Sequence, residues 1–277
     1  TAKEKDRPKL LKLFAELEFR NLLKKLSDDG SPEPLPPPAQ VTLKTIASEV
    51  HAYHVVTTEK ELEKLVKQLK RSKLFCFDTE TTSTDAMRAE LLGLSFASAP
   101  GEAWYIPVRP RAASEHRGGG ETSLFSSGGS EALPSIHPSH EEAFPLGRVV
   151  SSLAPLFADP KIKKVGQNVK YDLLVLASHG IITEGVWFDT MVGHYVLRPE
   201  GQHGMDAMAV EHLRYRPISY DDLTGRGRER RSLLEIDIAS IGEYAAEDAD
   251  VTLRLYHAIR PQLEEVGLLR LCEEMEF

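Results

Sequence analysis

Asp78 and Glu80 stand one residue apart, directly after the apolar run Leu74-Phe75-Cys76-Phe77. Such a run reads as a buried strand, and residues two apart on a strand point to the same face. The two carboxylates therefore project side by side from the end of a core strand, where like charges repel and desolvation is costly. A divalent cation is a common compensation; a pair of surface acids at a strand end is the other reading of these two residues alone. Two more segments bear on the choice. Asp172 follows Gly166-Gln167-Asn168-Val169-Lys170-Tyr171, a polar turn entering a helix, and Asp248 lies early in a long helix within Tyr244-Ala245-Ala246-Glu247-Asp248. Residues four apart share a helix face, so Tyr244 and Asp248 point the same way and Glu247 is turned aside. Taken singly, Asp172 is also what a helix N-terminus favours, and Tyr244 is also an ordinary core aromatic. Together, four carboxylates and a tyrosine are the equipment of a two-metal phosphoryl-transfer site, in which two cations roughly 3.5–4 Å apart stabilise the attacking and leaving oxygens. Hard oxygen ligands select Mg²⁺ or Mn²⁺ over zinc.

The elements that must position these residues follow from pattern and punctuation. His54–Val56 reads as a strand, and Thr58 with Glu61 forms a capping box opening a helix that runs to Leu69. Leu91–Ala97 and Ala103–Val108 are strands close enough to pair antiparallel. Helices are expected over Val149–Phe157, Tyr171–His179 (with Gly180 as its stop), Asp189–Leu197, Met205–Leu213 and Ala239–Ile259, with Pro261 ending or kinking the last. Short strands are expected at Lys163–Val165 and Val186–Phe188. Strands first, then helices alternating with strands, imply an α/β domain with a mixed sheet flanked by helices.

Outside that core, residues 1–30 carry an amphipathic helix over 8–26, read as the tail of a preceding module. Five prolines between Pro32 and Pro38 make residues 31–40 a stiff linker. The main domain is expected over 41–265. It is interrupted by a Gly- and Ser-rich flexible insertion at 109–147. His137 and His140 have a metal-ligand spacing, but Pro138 between them opposes the helix that would use it. The cluster Arg226, Arg228, Arg230 and Arg231 is read as a solvated loop in preference to a phosphate-contacting patch.

The chain has 277 residues, 41% hydrophobic residues and a formal net charge of −8. That charge opposes duplex binding through a broad basic surface, although carboxylates that hold metal also count as negative. Two cysteines make neither a disulfide framework nor a zinc site. No apolar run spans a membrane and no signal peptide is visible, so the composition suits a cytoplasmic protein.

At Phe77-Asp78-Thr79-Glu80-Thr81, Val165–Asp172, Phe188-Asp189-Thr190-Met191 and Tyr244–Thr252 the chain resembles the proofreading 3′→5′ exonuclease domain of bacterial family A DNA polymerases, the DNA polymerase I type. The resemblance covers roughly residues 50–265 and implies a ribonuclease H-like fold with the acidic set Asp78, Glu80, Asp172 and Asp248 plus Tyr244. It further implies that Asp78 bridges both cations and that Glu80 and Asp248 complete the tighter site. Asp172 then holds the second cation through water, and Tyr244 orients the attacking water. Implied products are nucleoside 5′-monophosphates from a single-stranded or frayed DNA 3′ end. Gln167, Asn168, Lys170, Tyr171, Met205 and Tyr220 match positions near the bound strand, while Thr84 and Gln202 depart from the family's usual leucine and arginine. The resemblance also implies a polymerase module in the parent chain, beginning at 266–277, and a monomeric bacterial protein. A ribonuclease D-like RNA exonuclease and a catalytically silent spacer domain are the alternatives.

Overall fold

A computed structural model of the chain describes residues 6–17, 19, 42–109 and 136–275. The proline-rich linker, the end of the expected first helix and most of the expected insertion lie outside the described residues. Two units are distinguished, 1–42 and 43–277. In the first, helix α1 (Arg7–Glu16) starts at Asp6, whose carboxylate accepts from Lys9 N.

The second unit is built on strand β1 (Ala52–Val55), helix α2 (Glu59–Arg71) and strands β2 (Leu74–Thr81), β3 (Leu91–Ala99) and β4 (Glu102–Pro107). After the undescribed residues come α3 (Leu146–Phe157), β5 (Lys163–Gly166), α4 (Val169–Ser178), β6 (Val186–Asp189) and α5 (Thr190–Leu197). Then follow a single α turn, α6 (Met205–Met208), with a π turn over Ala209–Leu213, then α7 (Tyr220–Thr224), α8 (Ile238–Glu265) and α9 (Leu269–Met275). The six strands form one mixed sheet in the order β1-β4-β3-β2-β5-β6. β2 lies inside it, antiparallel to β3 and parallel to β5.

The alternation of β2 sorts its side chains between two layers. Phe75 and Phe77 enter a core with Phe96 and Phe157, their rings 5.8 and 5.0 Å from that of Phe157. Leu62, Leu65 and Leu69 of α2 close this layer, and the capping box of Thr58 and Glu61 starts their helix. Cys76 faces the opposite layer, among Ala246, Ala249 and Leu253 of α8. Asp78 and Glu80 have the parity of Cys76, so they face α8 as well.

Gly242 lets α8 approach the sheet closely, and Gly93 makes room for the Tyr105 ring of the neighbouring strand. A Cβ on Gly242 would lie 2.5 Å from Val55 Cγ2, and one on Gly93 would lie 2.2 Å from the Tyr105 ring. Gly93 is the cross-strand partner of Glu80, so Tyr105 fills the space that the missing side chain leaves beside that carboxylate.

Three expectations need correction. Pro261 does not end the long helix, which continues to Glu265. Pro261 forgoes one amide bond, but Leu263 beyond it is fully buried and Gln262 Nε2 donates to Ala258 O at 2.7 Å. Residues 136–147 do not belong to a flexible insertion: Phe144 bridges Val108, Arg109 N donates to Phe144 O, and Ala143 and Phe144 are buried. Met205–Leu213 is not a uniform α-helix, because its second half widens into the π turn. In addition, residues 268–272, expected to lead into another module, pack on this unit, with Cys272 buried beside Leu268 and Leu269.

Candidate active site

β2 and α8 bring Asp78, Glu80 and Asp248 together, with one carboxylate oxygen from each within 4.8 Å of the others. Asp172 joins from the first turn of α4, where its Oδ1 accepts from Thr79 N at 3.1 Å and from Thr79 Oγ1 at 2.5 Å. Thr79 points away from Asp78 and Glu80 on the strand, so one residue of β2 anchors the fourth acid while its neighbours carry two others. Tyr244 lies one turn before Asp248 on α8, and burial followed by the Asp248 charge pushes its hydroxyl well above the ordinary range. The Asp248 Oδ1 atom is buried without a hydrogen-bond partner among the described residues.

The electrostatics of this cluster are those of acids short of positive charge. Burial pushes the Asp78 carboxyl up to about 7. Burial and then the Asp78 charge push Glu80 up to about 8. Burial, followed by Asp78, raises Asp172, and burial, followed by Asp78 and Glu80, raises Asp248, both well above the ordinary carboxylate range. Converging hard oxygens, an orphaned carboxylate oxygen and mutual repulsion fit divalent cations such as Mg²⁺ or Mn²⁺. The other acids of the same helix contrast with them. Asp250 accepts from Tyr53 Oη at 2.9 Å and Gly101 N at 2.6 Å and faces Arg254 at 3.7 Å. Glu247 accepts from Tyr215 Oη at 2.5 Å and Ile218 N at 2.6 Å. Both acids serve the fold.

The expected substrate positions fall into three kinds. Tyr220 is 42% exposed, meets the Tyr244 ring edge-on at 6.3 Å and has the Arg230 guanidinium over its ring at 5.4 Å. Asn168, in the left-handed conformation before α4, and Lys170 project toward solvent. Gln167 is committed internally: its Nε2 donates to His203 O at 2.9 Å and its Oε1 accepts from Thr190 Oγ1. Tyr171 bonds Thr81 Oγ1 at 2.6 Å and Ser83 O at 2.5 Å, holding the loop after β2. Met205 Sδ accepts from Thr252 Oγ1 at 3.4 Å. In the arginine loop, Asp221 is contacted by Arg226 at 3.2 Å and Arg230 at 2.8 Å. His140 is buried against Ile236 O rather than grouped with His137 for a metal.

Asp189 is a positioning residue that the sequence reading left without a role. Its carboxylate accepts from Asn168 N and Val169 N, at 3.0 and 2.8 Å, and from Met191 N and Val192 N, at 2.8 and 3.3 Å. It thus caps two helices, one of which carries Asp172; an Asp between a strand and a helix is the signal that could have found it. Asp189→Ala is expected to cost about 2 kcal/mol or more, since caps contribute ~1 kcal/mol each and buried amides lose their acceptor. Urea unfolding measures this; an unchanged midpoint would remove the clamp.

With that geometry in place, comparisons with known proteins define the class. A model of the 3′-5′ exonuclease family of family A DNA polymerases matches residues 53–264, and the chain belongs to that family. It is 36% identical over 281 residues to DNA polymerase I of Pseudomonas aeruginosa, covering 99% of this chain and 27% of the relative. It is 36% identical over 236 residues to DNA polymerase I of Rhizobium leguminosarum, covering 84% of this chain and 22% of that one. The chain thus spans about a quarter of the length of these relatives. Among solved structures, Escherichia coli RNase D superposes with a TM-score of 0.54 at 17% identity, over 80% of this chain and 48% of that one, a likeness of fold. The mixed sheet flanked by helices is therefore ribonuclease H-like. No described helix is long and apolar enough to cross a membrane.

Proposed function

We propose that this chain shortens single-stranded or frayed DNA from its 3′ end by two-metal hydrolysis, as the proofreading domain of a DNA polymerase I-type protein. The observation that carries this reading is the convergence of Asp78, Glu80 and Asp248 around an unpartnered Asp248 oxygen, with Asp172 fixed beside them. Asp78, Glu80 and Asp248 would hold one cation, with Asp78 shared and Asp172 completing a second position. When bound, two Mg²⁺ or Mn²⁺ ions supply Lewis-acid stabilisation of charge on the attacking and leaving oxygens.

The chain's own residues do the rest. Tyr244, one helical turn from Asp248, presents its hydroxyl to a water and aligns it with the terminal phosphorus. The water oxygen bonds to phosphorus, the bond from phosphorus to the 3′ oxygen of the penultimate nucleotide breaks, and that oxygen leaves with a proton. The terminal residue departs as a nucleoside 5′-monophosphate. Tyr220 offers a face on which a terminal base can stack, and Asn168 and Lys170 lie exposed at the start of α4 for contact with the strand. A polymerase module in the same parent chain would supply the mispaired 3′ end.

Because Tyr244 acts through water, Tyr244→Phe should slow hydrolysis about 10²-fold while leaving affinity for single-stranded DNA within about twofold. Single-turnover rates and anisotropy titrations measure the two; equal rates for variant and parent would remove the role. The reading as a whole is tested with DNA and RNA oligonucleotides labelled at either end, in Mg²⁺, Mn²⁺ or EDTA. A ladder receding from the 3′ end of DNA supports it. Preferential loss of RNA would move the chain to ribonuclease D-like chemistry, and no digestion at all would favour a silent spacer.

A further inference from the structure

A second polar cluster takes no part in this reading. His194 lies on α5, Glu211 and His212 lie in the π turn, and one ligand atom from each lies within 4.8 Å of the others. The His194 and His212 side chains are 0% and 5% exposed, and that of Glu211 is 36% exposed. His194 Nε2 is 3.6 Å from Glu211 Oε2, and His212 Nε2 is 3.9 Å from Glu211 Oε1. Both separations exceed hydrogen-bond length, and neither Nε2 has a hydrogen-bond partner among the described residues. One buried unpartnered imidazole nitrogen is costly. Two aimed at the same carboxylate call for a common partner.

We infer that His194 Nε2, His212 Nε2 and the Glu211 carboxylate form a site for a divalent transition-metal ion of the zinc type. Two imidazoles and a carboxylate suit zinc and its first-row neighbours, whereas the all-oxygen cluster at Asp78 suits Mg²⁺. Three protein ligands leave a fourth position for water. The remaining ring nitrogen of His194 is held from behind, as a ligating imidazole requires. His194 Nδ1 lies 2.8 Å from His203 Nδ1, and His212 Nδ1 lies 3.3 Å from the Gln262 side-chain amide. With its proton on Nδ1 and donated to His203, His194 has a free lone pair on Nε2. Gln262 Nε2 also donates to Ala258 O at 2.7 Å, so His212 reaches the same arrangement only when the Gln262 side chain turns out of this contact and releases Nδ1. Arg198, 3.2 Å from Glu211 Oε1 and itself 58% exposed, is the competing cation and can swing into solvent.

The ion would be a structural clamp. It would tie α5 to the π turn and pin the intervening loop, whose His203 carbonyl accepts from Gln167 beside Asn168. A π turn places an additional residue in the helical circuit and is a frequent device at ligand sites; here it sets Glu211 and His212 against α5.

The test measures metal content and stability, with no reliance on cleavage. The metal-free chain is titrated with Zn²⁺ and Co²⁺ in excess Mg²⁺, following stoichiometry, the visible Co²⁺ spectrum and Tm. The parent and Asp248→Ala should each bind one equivalent that Glu211→Gln and His212→Gln bind at least about 100-fold more weakly. The Co²⁺ spectrum should show four-coordinate nitrogen and oxygen ligation in the first pair only, and Zn²⁺ should raise Tm in the first pair only. Glu211→Gln, at a partly exposed position, keeps the test decisive if a histidine variant fails to fold. Identical Zn²⁺ stoichiometry and affinity in the parent and Glu211→Gln, or no Co²⁺ spectrum in the parent, would overturn the site.

Discussion

Asp78→Ala and Asp248→Ala are each expected to reduce hydrolysis of a DNA 3′ end by about 10³-fold or more, the scale on which loss of a preorganised charge-stabilising group is felt. The two acids come from different elements, β2 and α8, yet their oxygens meet within 4.8 Å along with those of Glu80. Removing either one therefore dismantles the same ion-binding cluster. Neither change should unfold the chain. Burial raises both acids, and the charges of Asp78 and Glu80 raise Asp248 further, as Asp78 raises Glu80, so deleting either removes an uncompensated buried acid in the ion-free state. Glu247→Ala provides the contrast within one helix. It strands Tyr215 Oη and Ile218 N, and is expected to cost about 2–4 kcal/mol of stability with smaller effects on turnover at low temperature. Single-turnover rates with urea unfolding of the same samples separate the two outcomes. An Asp78→Ala protein that cuts at the parental rate would sink the assignment of that residue.

The second large effect is a dependence of stability on pH that a divalent cation removes. In the folded chain Asp78 titrates near 7 and Glu80 near 8, against ordinary values of 3.8 and 4.5. Between those limits the folded state holds more protons than the unfolded state. The associated stability is fully present below the unfolded values and is lost as pH rises through the folded ones. Asp172 and Asp248 act in the same sense. The imidazoles of His140, His194, His212 and His257 are lowered and act oppositely below their ordinary 6.5, so the decisive window lies above it. From about pH 7 to about pH 8.5 in EDTA, a loss on the order of 2 kcal/mol is expected, a fall in Tm of roughly 4–8 °C. Metal binding requires the ionised carboxylates, so Mn²⁺ should stabilise more as pH rises and cancel the fall. Asp78→Asn and Glu80→Gln should flatten the EDTA profile. A Tm in EDTA that climbs across this window would contradict the protonation assigned to the cluster.

Much of this site is legible in the sequence because its parts follow local periodicity. Asp78 and Glu80 share a face through the two-residue repeat of a strand, and Phe75 and Phe77 mark the opposite face as core. Tyr244 and Asp248 share a face through the helical repeat. Other features depend on distant partners and leave no local trace. Asp250 is held by Tyr53 and Gly101, 197 and 149 residues away in sequence, and Glu247 by Tyr215, 32 residues away. The π turn was equally hidden, since Ala209–Leu213 has an ordinary helical pattern and the wide turn is defined by what it packs against. Pro261 misled because burial of Leu263 outweighs one missing hydrogen bond, a tertiary effect on a local preference. The ordered residues 136–147 were obscured by the Gly- and Ser-rich stretch before them.

The central claim is that the acids of β2, α4 and α8 make this chain a metal-dependent 3′→5′ exonuclease. Titrating Mn²⁺ into the EDTA-treated chain with 5′-labelled single-stranded DNA, beside Asp78→Ala, tests it most directly. The account predicts no cleavage without the ion, stepwise shortening from the 3′ end as Mn²⁺ is restored, and an inert variant throughout. Cleavage that survives chelation, or that the variant performs as well as the parent, would contradict it.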